Sequence, residues 1–586
     1  MRSPERANFE LKPAPKLVSF VPHLAAGTHF NAEHGLYYRV DNAGQVRWVI
    51  NAKCDHAGGT LYPNTDGNRL KCPRHGWALD IYKNDDKQPR YDNGLPKSTL
   101  RFDFAPAMLR TGLPSTDAGL LVELPGDELP WRGLLPAYGD KGFKVTWLNH
   151  ASLLVEIGGL KILTDPWFIG PAFHTGWWLK YPTPMAAIEL AQTADLIYIS
   201  HEHPDHLHEE TLRLFGLIDK KFIVPHFSGN DVGNRVTTRL FQNGVNTVEG
   251  LDCKLGQPVP YILNRGSGLW GAMLRTGNQQ LDSALMLVHG DNCLVIGSDC
   301  SAMNNWVLPK DISFLATSFA GGATAHPSCF IGLTKEQKAQ EQERKLAAVR
   351  QHVTEHVAAM KPGIYMPYAG HFVEAPDLDP DVWACNEKNT MRQAMQAAKD
   401  GAQLPPEYEP ENVMPSNATL GFDAAGHLMT TENKIDSAHV LQTPARSNYV
   451  KLQSLQKWDA RLVAQYMLSS KHKQNLFVIV IPCGDYQIPN GDSILLHEDA
   501  VVCDCANDEP DCLPAAQALA LYWDPEKRRP GFNYLLLWTR AGAMMTNARR
   551  GLPLDELLIG FQCRIEEVGG FNGAYINAMS TNMRPA

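Results

Sequence analysis

Leu196-Ile-Tyr-Ile-Ser-His201-Glu-His203-Pro-Asp205-His206 is the stretch on which the fold of this chain turns. Its first four residues form a short apolar, β-branched and aromatic run, the composition of a buried strand. The six that end it carry three imidazoles and two carboxylates, Glu202 and Asp205, and His201, His203, Asp205 and His206 are spaced as donors that borderline first-row metals prefer. A loop leaving the edge of a sheet can fold four such side chains around two ions. So dense a set is rarely accidental, and it predicts a strand that ends in a dinuclear metal loop.

Outward from that loop, apolar segments recur at strand length. Val145-Thr-Trp-Leu, Ser152-Leu-Leu-Val-Glu-Ile and Leu160-Lys-Ile-Leu precede it, the last two separated by Gly158-Gly159. Phe222-Ile-Val, Ala284-Leu-Met-Leu-Val, Leu294-Val-Ile-Gly and Ile312-Ser-Phe-Leu follow. The long charged stretch from Lys335 to Met360 reads as a solvated amphipathic helix, and Val382 to Lys399 as another helix. Strands with helices between and after them predict a layered, mixed α/β domain.

The chain has a different texture before residue 110. Gly35-Leu-Tyr-Tyr-Arg-Val and Gln45-Val-Arg-Trp-Val-Ile flank the turn residues Asp41-Asn-Ala-Gly, which predicts a small all-β domain. Within it stand Cys54-Asp-His56 and, after fifteen intervening residues, Cys72-Pro-Arg-His75-Gly-Trp. A Rieske [2Fe-2S] cluster holds one iron with two thiolates and the other with two imidazoles, so each of two loops must supply one Cys and one His. This spacing does so, making Cys54, His56, Cys72 and His75 the expected ligands. Gly58-Gly59 and Gly76 let backbone amides approach the cluster sulfurs. Two Cys and two His also compose zinc sites, for which a Cys-x-His half is unusual.

Asp117 to Asp140 is rich in Pro and Gly and reads as a linker, and Leu404-Pro-Pro-Glu-Tyr-Glu-Pro marks a second break. Beyond it, Asn475-Leu-Phe-Val-Ile-Val-Ile and Tyr534-Leu-Leu-Leu-Trp resume an ordered pattern. The expectation is a multi-domain α+β protein with units at 1–140, 141–402 and 403–586, the last of them α/β. Apolar residues are 44% and charged residues 20%, with a net charge of −9, so disorder and a nucleic-acid surface are both disfavoured. No apolar run reaches the ~18 residues of a membrane span, and the start of the chain lacks a signal-peptide pattern, so a cytoplasmic setting is expected. Twelve cysteines in 586 residues are too few for a disulfide scaffold. Cys503-Asp-Cys505 with Cys512 lacks a fourth donor and reads as structural thiols.

The His-x-His-x-Asp-His run resembles the signature of the metallo-β-lactamase superfamily, an αββα sandwich. That resemblance implies that His201 and His203 bind one metal and Asp205 and His206 the second. It also implies Asp299, in Val295-Ile-Gly-Ser-Asp299, as bridging carboxylate, and His371, in Tyr365-Met-Pro-Tyr-Ala-Gly-His, as the last ligand. Asp165, in Thr164-Asp-Pro-Trp, resembles the superfamily's Asp-Pro turn and would support a ligand from behind, and His150, in Leu148-Asn-His-Ala-Ser, reads either in that way or as an ordinary loop histidine. The third His on the first metal has no counterpart between Tyr261 and Ala284. Asp282, His226 or water remain for that place, and an isolated loop Asp or His is more often a capping or solvated residue.

A Rieske unit followed by such a domain is similar to the CMP-N-acetylneuraminate hydroxylase family and to related Rieske-type diiron N-oxygenases. Ser298-Asp-Cys300, Ser318-Phe-Ala-Gly-Gly-Ala, Pro327-Ser-Cys-Phe330 and Asp555-Glu-Leu-Leu-Ile-Gly-Phe-Gln-Cys-Arg564 carry that likeness further along the chain. The resemblance implies a non-heme diiron monooxygenase. It would use O2, two Fe ions and electrons from NAD(P)H, delivered by a separate reductase and a ferredoxin or cytochrome b5-type carrier. The product would be a hydroxylated carbon or an oxygenated amine nitrogen. Hydrolysis moves no electrons, so the alternative, a lactonase or phosphodiesterase-type hydrolase, leaves the Rieske unit only a redox-sensing role. His326 and Ser318, with Trp167 and Trp177 as aromatic walls, are candidates to face substrate, and each is at least as readily plain packing.

Overall fold

A computed structural model describes residues 3–569, apart from 54–59, 65–68, 73–77, 82–87, 93–95, 109–113, 125, 229–234, 278–280, 402–417, 423–427, 433–438 and 471–472. The strand Leu196–Tyr198 lies inside an eight-stranded sheet. It runs parallel to Leu160–Thr164 on one side and to Lys221–His226 on the other, and the last of these pairs in parallel with Val248–Asp252. Ser152–Ile157 and Phe143–Asn149 continue the sheet antiparallel, and the hairpin of Ala418–Phe422 and Leu428–Glu432 closes it. A second sheet of seven strands runs from Glu5–Arg6 through Pro260–Asn264, Leu269–Arg275, Ser283–His289, Asn292–Ile296 and Phe314–Thr317 to Ile364–Pro367, its last three strands parallel.

Side chains alternate faces along a strand, and the sequence exploits that period. Val145, Trp147, Leu153, Val155, Ile162, Leu196, Tyr198 and Ile223 point to a core shared with Ala272, Leu287, Leu294 and Phe314 of the second sheet. Their neighbours Leu148, Leu154, Leu163, Ile197, Phe222 and Val224 point outward, where helices Met185–Gln192 and Arg235–Gln242 cover them. Each fully buried side chain of this kind contributes ~1.5–3 kcal/mol. Val353, Val357 and Met360 of helix Lys335–Met360, with Met395 and Ala398 of helix Met391–Gly401, pack into the core cluster of the second sheet. The layers are therefore helix, sheet, sheet and helix.

Helix Lys335–Met360 begins at a capping box, in which Thr334 accepts from the Gln337 amide while the Gln337 side chain accepts from the Thr334 amide. The helix expected at 382–399 is instead two, Pro380–Trp383 and Met391–Gly401. The intervening Asn386 and Asn389 are buried and spend their amides on the Gly322, Phe319 and Leu346 carbonyls, which holds that segment out of a helix. The expected linker at 117–140 also changes, because the strand Pro114–Leu124 takes up its beginning.

With that strand, the described residues before it form three small three-stranded sheets. Tyr37, Trp48, Ile50, Leu70 and Leu79 build a core around Cys72, which is fully buried. Cys54, His56 and His75 lie outside the described residues. At the other end, a five-stranded sheet pairs Leu476–Cys483 in parallel with Asn533–Arg540 and adds Asp499–Asp504, Glu509–Pro514 and Cys563–Val568 antiparallel. Strand pairing crosses both expected boundaries, since Glu5–Arg6 joins the seven-stranded sheet and the 418–432 hairpin the eight-stranded one. Among the described residues no helix is long and apolar enough to cross a membrane.

Candidate metal centre

The parallel strands of both sheets end at one edge, where loops can converge. Asp165 follows Leu160–Thr164, the His201–His206 loop follows Leu196–Tyr198, and Ser298 and Asp299 follow Asn292–Ile296. His150 occupies the tight turn between Phe143–Asn149 and Ser152–Ile157. The backbone at His150, Asp165 and Ser298 is left-handed, with φ of 39°, 36° and 47°. Such conformations are costly for residues other than glycine and collect at functional sites, where surrounding structure holds them.

Two clusters of donors result. His150, Asp205 and His206 form an inner, buried one, and His201, His203 and Asp299 form an outer one that reaches the surface. They meet at His206, whose Nε2 lies 3.3 Å from Asp205 Oδ2 and 3.5 Å from Asp299 Oδ2. His150 Nε2 approaches Asp205 Oδ2 at 3.2 Å. In the outer cluster His201 Nε2 and His203 Nδ1 face each other at 2.8 Å. Asp299 keeps 34% of its side-chain surface, whereas Asp205 keeps 3% and His206 none, so access is from the outer side.

The atoms behind the ligands decide where protons sit. Asp165, fully buried, receives the Ser200 amide at 2.7 Å, the Ser200 hydroxyl at 2.8 Å, His206 Nδ1 at 2.9 Å and the Ser298 hydroxyl at 3.1 Å. A proton on His206 Nδ1 leaves the Nε2 lone pair aimed at two carboxylates. His201 Nδ1 similarly donates to Ser200 Oγ at 2.9 Å, leaving Nε2 to face His203. Acceptors that face one another repel unless a proton or a cation lies between them. Burial alone would lower the His206 pKa, yet Asp205, Asp299 and Asp165 outweigh it and hold it well above the ordinary value. Burial opposes the charged form of His203 too, and Asp555 pushes it up to about 10. His201, by contrast, is held well below by burial and by the neighbouring His206 and His203.

This donor set fits a pair of cations. Asp205 Oδ1, His206 Nε2 and His150 Nδ1 are buried without a hydrogen-bond partner among the described residues. Each such group costs ~1–3 kcal/mol unless an ion or a water meets it. Four imidazoles and two carboxylates suit iron, zinc or manganese.

Five of the six expected dinuclear ligands, His201, His203, Asp205, His206 and Asp299, are brought together, and His371 is not in either cluster. Its ring is held among Trp147, Phe319 and Tyr181, 5.0, 5.1 and 5.7 Å away, and burial pushes its pKa down to about 3. The reason lies in Gly370, where a Cβ would come within 2.7 Å of Ala320 Cβ, so the loop hugs the Phe319-Ala320 backbone and directs His371 into the aromatic cage. His371 instead borders a cavity of about 500 Å³ with Lys180, Tyr181 and Lys388. His150 joins the inner cluster instead, a residue whose sequence context allowed no choice between support and packing.

Asp282 is buried near His203, Asp299 and His206, and burial pushes it up to about 7, but it joins neither cluster. His226 ends its strand opposite Asp252 and also joins neither. Trp167 is wholly buried with its ring 5.0 Å from His150, and Trp177 stacks on Phe372 at 3.5 Å, so both are walls rather than substrate contacts. Sequence reasoning missed Asp555, which stands 3.5 Å from His203 Nε2. Cys503, Cys505 and Cys512 form no metal-type cluster among the described residues.

Comparison with known proteins extends these observations. A model described as a beta-lactamase superfamily domain matches residues 144–257, which contain His150, Asp165 and the whole His201–His206 loop. The cytidine monophosphate-N-acetylneuraminic acid hydroxylase of Asterias rubens is 33% identical over 346 residues, covering 58% of this chain and 50% of that protein. The enzyme of the same name from Mus musculus is 30% identical over 371 residues, covering 58% of this chain and 57% of the relative. The chain thus spans little more than half the length of these relatives. Among solved structures, CmlA, a diiron beta-hydroxylase from Streptomyces venezuelae, aligns with 45% of this chain and 50% of its own at 14% identity and a TM-score of 0.28. Residues 144–257 thus match a metallo-β-lactamase-like fold of mixed α/β content, and the chain is similar to the cytidine monophosphate-N-acetylneuraminic acid hydroxylases over 58% of its length.

Proposed function

We propose that the protein is an O2-dependent monooxygenase with a non-heme diiron centre at His150, His201, His203, Asp205, His206 and Asp299. A Rieske [2Fe-2S] cluster at Cys54, His56, Cys72 and His75 would feed it electrons. The observation that carries this reading is the meeting of two donor clusters at His206, in a chain whose relatives are named as hydroxylases. When bound, two irons supply oxygen activation, and the cluster supplies electrons drawn from NAD(P)H through an external reductase and a ferredoxin or cytochrome b5-type carrier.

The chain's own residues do the rest. Asp165 keeps the His206 proton on Nδ1 and Ser200 keeps that of His201 on Nδ1, so both Nε2 atoms face the centre as lone pairs. Trp167 and the Trp177–Phe372 stack seal the inner side against water. Asp299 and His203 form the exposed side, by which a small substrate enters for C-hydroxylation or N-oxygenation. The setting proposed is the cytoplasm. A zinc hydrolase with a redox-sensing Rieske unit has less support, since the named relatives are hydroxylases.

The test is a metal and electron paramagnetic resonance count on purified protein, followed by oxygen uptake with CMP-N-acetylneuraminate and a panel of small amines. About four irons per chain and reductant-dependent oxygen consumption are expected. His203→Ala should abolish consumption and leave the cluster spectrum intact, whereas Cys72→Ala should remove both. Colourless, zinc-only protein that turns over without air would end the proposal.

A further inference from the structure

Asp555 stands on the short helix Leu554–Ile559, which belongs to the C-terminal unit yet reaches the metal-binding edge. Its Oδ2 lies 3.5 Å from His203 Nε2, and its Oδ1 is buried without a partner among the described residues. The helix is fixed in place by independent contacts at the residues that follow Asp555. Glu556 accepts from Arg239 at 2.8 Å, and Arg239 also donates to the Glu202 carbonyl at 2.7 Å, beside His203. Trp177 Nε1 donates to the Ile559 carbonyl at 2.9 Å. Gly560 and Gly176 touch backbone to backbone, and a Cβ on Gly176 would lie 2.0 Å from the Gly560 oxygen.

His203 has two nitrogens with different tasks. Nδ1 faces His201 in the outer cluster, so Nε2 is the one left to carry a proton toward Asp555. Asp165 plays the same part for His206 in the inner cluster, from within the sandwich itself. Carboxylates placed behind metal-binding imidazoles fix the tautomer and raise ligand basicity, commonly by 10–100-fold in metal affinity.

We propose that Asp555 is a positioning residue for the outer metal: it holds the proton on His203 Nε2, so the C-terminal unit completes the metal centre. This rests on the dinuclear reading above.

Anaerobic titration of the full-length protein with Co(II), read by difference absorption, tests it. The parent should take up two Co(II) ions at this centre. Asp555→Asn should weaken one of them by about 10–100-fold and leave the other unchanged, and Asp555→Glu should recover to within about threefold of the parent. Glu556→Gln, which loosens the same helix through Arg239, should lower the unfolding midpoint and leave both affinities and the Co(II) spectrum as they were. The proposal is overturned if Asp555→Asn binds both ions like the parent, or if Glu556→Gln reproduces its loss. Uptake of fewer than two ions by the parent would overturn the dinuclear reading itself, and a normal parent with an indifferent Asp555→Asn would overturn only the role of Asp555.

Discussion

Replacing Asp165 with Asn keeps the size of the side chain and removes one acceptor from the most connected point behind the metal loop. Asp165 Oδ2 accepts three donors, the Ser200 hydroxyl, His206 Nδ1 and the Ser298 hydroxyl, while Oδ1 takes the Ser200 amide. The Asn oxygen is retained where the amide needs it, so its NH2 group faces the other three. Two of those are hydroxyls that can rotate; the imidazole can answer only by moving its proton from Nδ1 to Nε2. That proton then points between Asp205 and Asp299, where the cation belongs. Forcing the proton back leaves one buried donor facing another, a cost of ~1–3 kcal/mol. At 1.36 kcal/mol per decade this corresponds to roughly 5–150-fold in affinity, which agrees with the 10–100-fold typical of such supporting groups. Anaerobic Co(II) or Fe(II) titration against a competing chelator measures it directly. If Asp165→Asn held both ions within about threefold of the parent, with an unchanged unfolding midpoint, the tautomer argument would be refuted.

Other consequences concern how the parts hold together. Asp379 is fully buried between Arg540 and Arg564, accepting from them at 3.1 and 2.7 Å, and it joins the C-terminal sheet to the sandwich. Asp379→Ala strands the buried guanidinium of Arg540, leaves Arg564 with Asp381 alone, and should cost ~3–5 kcal/mol in urea unfolding, a loss under about 1 kcal/mol arguing against it. Gly176→Ala drives a Cβ into the Gly560 carbonyl and should cost ~1–3 kcal/mol, seen as a lower thermal midpoint. Burial pushes Lys345 down to about 8 from an ordinary 10.5, its amine donating to Thr324 Oγ1 and to the His326 carbonyl. Between these two values the unfolded chain binds more protons, so stability should rise with pH across that window, by at most about 3 kcal/mol, and Lys345→Met should flatten the rise.

The metal loop was legible because its donors are contiguous: a strand of alternating Leu196, Ile197 and Tyr198 leads straight into His201, His203, Asp205 and His206. The strands around it were legible for a local reason too, as apolar runs of strand length. Asp299 and the supporting place of Asp165 came from the resemblance to the metallo-β-lactamase signature, and the structure puts Asp165 behind His206. Local pattern was a weaker guide at Val382–Lys399, where helix-forming residues yielded to buried Asn386 and Asn389.

What the amino-acid sequence determined alone was the chemistry on offer: which side chains could bind metal, and which segments had the period of strands or helices. Only the tertiary structure decided which of these donors come together. It admitted His150, fifty-five residues from Asp205, turned His371 aside into an aromatic cage, and brought Asp555 from the far end of the chain to His203. The physical reason is that coordination depends on where a lone pair points in space. That direction is set by left-handed turns, glycine contacts and helix docking, which join residues far apart in the chain and leave no periodic trace in it.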